Sequence, residues 1–222
     1  MTDATTPRLS STSLLLIGAF TGVMSGLFGV GGGFIIVPLL LLLGMPQKLA
    51  AGTSVIAILP TAVVGAIGYL TLGQVDWVAA ILLAVGMIVG TQIGGRLLQV
   101  LPDSVLFWMF LAALLLIIPS LFLIVPSRDS HIEITVVVGV LLVVTGVIVG
   151  VLSALLGVGG GIVMVPVLVL LFGANDLVAK GTSLLMMIPG SISATIVNYT
   201  NKNVDLRAAA FLGITASIVL PL

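Results

Sequence analysis

Cysteine is absent from this chain of 222 residues, which excludes disulfides, thiolate metal sites and a cysteine nucleophile. Charge is scarce too. Seven basic and seven acidic residues make up 6% of the chain and cancel, so there is no basic surface to hold nucleic acid and no charge run to meet a peripheral acidic partner. Histidine occurs once, as His131, in a polar stretch. With no metal-ligand cluster, no serine and histidine pair and no paired carboxylates, the means of an intramembrane enzyme are missing. The chain is expected not to be an enzyme, and to need no metal and no cofactor. Residues 1–13 are polar, carry one arginine and lack a small-residue cleavage site after a short apolar core. They read as a cytoplasmic tail, not as a removable signal peptide.

What the chain has in abundance is apolar residues, 60% of the total, more than a soluble globule can keep from water. A helix that crosses hydrocarbon needs about 20 of them in a row, and several such segments follow one another here with very short loops between. The chain is an integral membrane protein. Its segments are organised around Gly22-Val23-Met24-Ser25-Gly26-Leu27-Phe28-Gly29-Val30-Gly31-Gly32-Gly33, which recurs as Gly150-Val151-Leu152-Ser153-Ala154-Leu155-Leu156-Gly157-Val158-Gly159-Gly160-Gly161. Extended to Leu43 and Leu171, the two copies share 14 of 22 positions, Pro38 and Pro166 among them. One inserted residue later, Gly52-Thr53-Ser54 pairs with Gly181-Thr182-Ser183, and Pro60 with Pro189. The protein is an internal duplication, each half carrying a glycine break and then a short polar cluster.

In the first half, residues 14–28 are apolar, residues 29–33 break the run, and residues 34–43 resume it for about 15 Å, half the hydrocarbon thickness. That second piece is expected to be a half-helix. Residues 44–48 read as a turn, and 51–72, 77–101 and 105–125 as spans, the middle one with a small-residue ladder at Gly86, Gly90 and Gly94 that would admit a close helix neighbour. The second half repeats the order, with 134–156, the break 157–161, 162–172, a turn at 173–176, 181–199, and 206 onward. This gives a tail at 1–13, repeat 1 at 14–125, a loop at 126–133 and repeat 2 at 134–222, the last short of a counterpart to 105–125 and so read as truncated at its C-terminus. Charge chooses the topology. If each broken segment is a hairpin that returns to its own side, Arg8, Lys48, Arg96, Lys202 and Arg207 share one side against Arg128 and Lys180, a stronger bias than single crossings would give. The expectation is an all-α polytopic membrane protein of two homologous, inverted repeats, each with a glycine-broken helical hairpin, and its N-terminus in the cytoplasm.

Freed backbone groups survive at membrane depth only when buried in protein or lining a wet cavity, so two glycine-rich breaks need a reason. Close packing is one. The other is a site where N–H groups at the starts of the half-helices face an anion, helped by the helix dipoles. The glycines alone do not choose between them. The duplicated Gly-Thr-Ser favours the site, because Thr53, Ser54, Thr182 and Ser183 would cap the following helices near the bilayer interior, where their hydroxyls could hold a polar ligand. Candidate substrate contacts are therefore Gly31, Gly32, Gly33, Gly159, Gly160 and Gly161 with those four hydroxyls. Gln92 and Asn198 are added as polar residues inside apolar spans, although such residues commonly bond a neighbouring helix. Arg96, Lys48 and Lys180 read as interfacial anchors.

Duplicated Gly-x-Gly-Gly-Gly-x-x-x-x-Pro segments, each followed by Gly-Thr-Ser, closely resemble the sulfite exporter TauE/SafE family of bacterial multi-pass permeases, and Gly90-Thr91-Gln92-Ile93-Gly94-Gly95-Arg96-Leu97 is similar to that family's small-residue segment. The resemblance covers nearly the whole chain. It implies secondary transport, by export, of small sulfur-containing anions such as sulfite or organosulfonates across the cytoplasmic (inner) membrane without an ATPase domain. The partners implied are a small anionic substrate and the lipid bilayer; self-association into a homo-oligomer is left open. A membrane scaffold or assembly protein whose repeats only pack is the competing reading, and it predicts solid packing around Gly31 and Gly159. A permease for another small anion is a third.

Overall fold

A computed structural model describes residues 9–28, 31–123 and 135–220. Gly29, Val30, Arg128 and His131 lie outside them. The described residues form nine helices and no strands: α1 (Ser11–Phe28), α2 (Gly33–Leu42), α3 (Gln47–Thr71), α4 (Trp77–Val100), α5 (Asp103–Leu123), α6 (Val136–Leu156), α7 (Gly161–Phe172), α8 (Asp176–Thr200) and α9 (Leu206–Val219). Of these, α3, α4, α6 and α8 are long and apolar enough to cross a membrane. The short α2 and α7 each follow a glycine break, as their ten and twelve residues require. The fold is that of a polytopic membrane protein.

Helix directions follow from the contacts. Arg207 Nη2 donates to Ser11 Oγ at 2.9 Å, placing the starts of α1 and α9 together. Gly18, Gly22 and Gly26 of α1 then meet Leu212, Ala216 and Leu220 in that order, so the two helices run parallel. The same seam joins α4 to α6: methyl carbons placed on Gly86 and Gly90 would lie 3.0 Å from the Cα atoms of Gly146 and Gly150, and one on Gly94 would lie 2.9 Å from Ala154 Cβ. Only near-glycine surfaces permit backbones this close, and dispersion across the seam replaces the hydrophobic drive that lipid removes. The expected partner of the small-residue ladder is thus a helix of the other repeat.

The loops fix the remaining directions. Lys48 Nζ donates to Gln99 O at 3.2 Å, and Asp205 N donates to Thr53 Oγ1 at 3.0 Å, so α3 starts at the end of the bundle where α4 finishes and where α1 and α9 begin. Asp76 N donates to Thr182 Oγ1 at 3.0 Å, so α8 starts at the opposite end, beside the start of α4. Hairpin α1–α2 therefore enters from and returns to one end, and hairpin α6–α7 the other. The repeats are inverted. Lys48, Arg96, Lys202 and Arg207 lie on elements at the first end and Lys180 at the second, the partition that charge counting favoured.

One expectation is corrected. The Gly-Thr-Ser clusters do not begin their helices: α3 starts six residues before Thr53, with Pro46 in the N-cap position, and α8 starts at Asp176, capped by Asn175 Oδ1, which accepts from Leu177 N at 3.0 Å. The turns read at 44–48 and 173–176 end in Gln47, Lys48 and Asp176, which already belong to α3 and α8. These polar residues open the helices, and in α8 Lys180 pairs with Asp176 at 2.8 Å across one turn. Side-chain caps also start α4 and α9, where Asp76 Oδ1 accepts from Ala79 N and Asp205 Oδ1 from Ala208 N, each at 3.0 Å.

Thr71 and Thr200 are equivalent, exposed residues at the last turns of α3 and α8. In this cysteine-free chain, Thr71→Cys and Thr200→Cys should react with an impermeant maleimide from opposite faces of the membrane. Reaction from one face would contradict the inversion.

Candidate functional site

Both half-helices begin at a left-handed glycine. Gly32 has φ 77° and Gly160 φ 86°, and neither supplies a side-chain cap to α2 or α7. A side chain there would be strained, and the first N–H groups of each helix have no partner within it. They form the positive end of the helix dipole. Ahead of the second break, α6 stops at Gly157, whose φ of 70° lets its N–H reach Ser153 O at 2.9 Å.

The two breaks meet at the centre of the bundle. A methyl carbon on Gly33 would lie 2.8 Å from Gly157 O and 2.7 Å from Val158 O, so the start of α2 rests on the backbone of the other break. Two side chains close the space beside this crossing, Ile58 from midway along α3 and Met187 from midway along α8, both fully buried. A methyl on Gly159 would lie 2.7 Å from Met187 Cε and 2.9 Å from Ile58 Cδ1, and one on Gly31 would overlap Met187 Cε. Ile58 and Met187 each stand two residues before a duplicated proline, Pro60 and Pro189, that withholds one helical hydrogen bond. Solid apolar packing thus surrounds Gly31 and Gly159. Beside Gly160 there is a narrow recess with room for about one water, lined by Phe34, Phe110, Ser153, Leu156 and Ile162 among others.

The Gly-Thr-Ser hydroxyls are engaged by the protein itself. Thr53 and Thr182 accept the N–H groups of Asp205 and Asp76, the cap residues of α9 and α4, so each repeat holds the loop of the other. Gly52 and Gly181 give those loops room, since a methyl at either would strike Asn203 O or Gln74 O. Ser54 Oγ donates to Gly157 O or Ala51 O, and Ser183 Oγ to Lys180 O at 2.8 Å. The structure therefore brings Gly33 onto the second break and Gly31 and Gly159 against the same two side chains, whereas Gly32 faces Thr21 and Ser25, and Gly160 faces Val149, Met87 and Ser153. It sets Thr53 and Thr182 apart from these glycines, at the docking of the loops, and leaves Ser54 against the second break.

Gln92 lies at the contact of α4 with α8, its Nε2 donating to Ser193 Oγ at 2.8 Å, with Thr91 Oγ1 a further 2.9 Å neighbour of the same hydroxyl. Asn198 Nδ2 donates to Ala194 O at 2.9 Å within α8, while its Oδ1 is buried without a partner. Among the described residues, other buried polar atoms without partners are the hydroxyls of Thr21, Ser25, Ser153, Ser191 and Thr195, both amide atoms of Gln47 and Asn203 Nδ2. Such a group costs about 1–3 kcal/mol. Sequence reasoning passed over Ser25 and Ser153, although they recur in register within the duplicated motif, and over Ile58 and Met187, which recur ahead of the duplicated prolines.

Comparison with known proteins agrees with this architecture. The family model described as Sulfite exporter TauE/SafE matches residues 3–121 and 141–222. A protein of Haemophilus influenzae named as a probable membrane transporter protein is 29% identical over 221 residues, 91% of this chain and 83% of that protein. One of Methanocaldococcus jannaschii with the same description is 27% identical over 205 residues, 86% of this chain and 73% of its own length. Probable membrane transporter protein YdhB of Bacillus subtilis is 36% identical over 96 residues, 43% of this chain and 39% of that protein. No solved structure matches.

Thr53→Ala and Thr182→Ala leave the N–H groups of Asp205 and Asp76 without their acceptor, at a cost of about 1–3 kcal/mol each. Thermal unfolding in detergent should show a lower Tm for both variants, and the affinity of the surviving folded protein for a small anion should change less than twofold. A tenfold loss of affinity at unchanged Tm would make these hydroxyls ligand contacts.

Proposed function

The chain belongs to the sulfite exporter TauE/SafE family, and we propose that it is a secondary transporter that exports small sulfur-containing anions, such as sulfite or organosulfonates, across the cytoplasmic membrane. The observation that carries this reading is the meeting of two glycine breaks, each leading into a half-helix without a side-chain cap, within inverted repeats. Four features suit an anion. Backbone N–H groups and positive dipole ends offer donors without a fixed positive charge, the glycines allow close approach, the site lies on broken helices, and the surrounding helices exclude lipid from the freed backbone. In this conformation Ile58 and Met187 close the crossing, as an occluded state of alternating access requires. Opening would need these two side chains to part. Met187 is suited to that by its flexible, unbranched thioether, and the prolines at 60 and 189 give α3 and α8 points at which to bend.

The packing around Gly31 and Gly159 also favours a second reading, a membrane scaffold whose breaks serve only close contact. Flux separates the two. Reconstituted protein should accumulate or release labelled sulfite and an aliphatic sulfonate down their gradients, with little flux of a non-sulfur anion of similar size. Gly32→Val and Gly160→Val should abolish that flux while still inserting, because a β-branched residue resists positive φ and would crowd a bound anion. A wild-type protein that moves no anion of the panel would leave the scaffold reading standing.

A further inference from the structure

On the reading of this chain as an anion transporter, we infer that Ser25 and Ser153 are substrate contacts, each donating its hydroxyl to a small oxyanion held at the start of the half-helix that follows it. The two serines occupy the same position of the duplicated motif, four residues ahead of Gly29 and Gly157. They are 1% and 2% exposed, and neither hydroxyl has a hydrogen-bond partner. Each sits beside the N-cap glycine of its own hairpin: a methyl carbon on Gly32 would lie 3.6 Å from Ser25 Cβ, and one on Gly160 3.7 Å from Ser153 Cβ.

The arrangement has the parts that an oxyanion needs. An uncapped helix start supplies backbone donors along the positive dipole end. A hydroxyl at its flank adds a rotatable donor that can turn to whichever oxygen is presented. Packing alone gives no use for these hydroxyls, since alanine fills nearly the same volume without an unpaired polar atom. The contrast with Thr53, Ser54, Thr182 and Ser183 is direct, because those hydroxyls are already bonded to protein atoms. The shared chemistry is a compact anion with several equivalent oxygens bound to one sulfur; free sulfite and the head of an aliphatic sulfonate both present it. Two such half-sites, one per inverted repeat, give the anion equivalent donors on either side of the Ile58 and Met187 closure.

The test uses the full chain in proteoliposomes and in detergent, with sulfite and an aliphatic sulfonate as separate probes. Ser25→Ala and Ser153→Ala should each raise the Kd and KM for the probe by about tenfold or more, the usual effect of removing a hydrogen bond to a charged ligand. Their Tm without anion should match or exceed the wild-type value, since an unpaired buried hydroxyl has been removed. Ser153→Cys, close in shape but a weak donor, should lose affinity in the same way and serves where the alanine variant folds poorly. A response to both probes assigns the contact to the sulfur oxyanion itself, and a response to sulfite alone restricts the site to the free anion. Unchanged Kd and KM in a wild-type background that transports either probe would overturn this assignment alone, and so would a fall in Tm at constant KM. Absence of binding and flux in the wild type would instead overturn the transport reading on which it rests.

Discussion

The structure depends on one constraint: backbone released from helical hydrogen bonding within hydrocarbon must find cover in protein. Each repeat breaks its first helix at glycines with positive φ, and neither break is covered by its own hairpin alone. Cover comes from the other repeat. Gly33 rests on the carbonyls of Gly157 and Val158, Ser54 bonds Gly157 O, and Ile58 and Met187 close the remaining space from α3 and α8. Inversion of the repeats serves this cover, because hairpins entering from opposite faces bring the two glycine breaks together within the bundle.

The same dependence runs out to the ends of the helices. Thr53 and Thr182 hold the cap residues Asp205 and Asp76 of the opposite repeat, and the glycine seams join α1 to α9 and α4 to α6. Lipid offers no hydrophobic drive between helices, so these seams rely on close backbone contact and dispersion. A motif that looks like a ligand cluster in the sequence is, in space, a clasp between repeats. Threonine suits the role because its hydroxyl accepts a loop N–H, and the preceding glycine lets the loop backbone approach.

Much of this was legible in the sequence, for physical reasons. Apolar run length limits the candidate spans, a ten-residue run after a glycine break cannot cross hydrocarbon, and basic residues distinguish the hairpin from a single crossing. Gly86, Gly90 and Gly94 announced a close neighbour, though not that it would be α6. The starts of α3 and α8 were misread because Gln47, Lys48, Asp176 and Lys180 are polar first-turn residues, and polarity at a membrane surface does not separate helix from turn. The roles of Thr53 and Thr182 were not legible, since their partners lie more than a hundred residues away in the chain. Nor were Ile58 and Met187, which look like any apolar residue of a span until the crossing of the breaks is known.

The parallel seams have a consequence for how the protein is made. Gly18 and Gly22 emerge early in synthesis, but the surfaces they fit, around Leu212 and Ala216, emerge only with α9. The glycine face of α4 likewise waits for α6, and Asp76 waits for Thr182. No repeat can complete its packing as it is inserted, so the first half must stay in the bilayer with glycine faces and broken backbone uncovered until the second half arrives. Contacts of such long sequence separation form slowly, and this interval is where the chain is most exposed to pairing with the wrong helix.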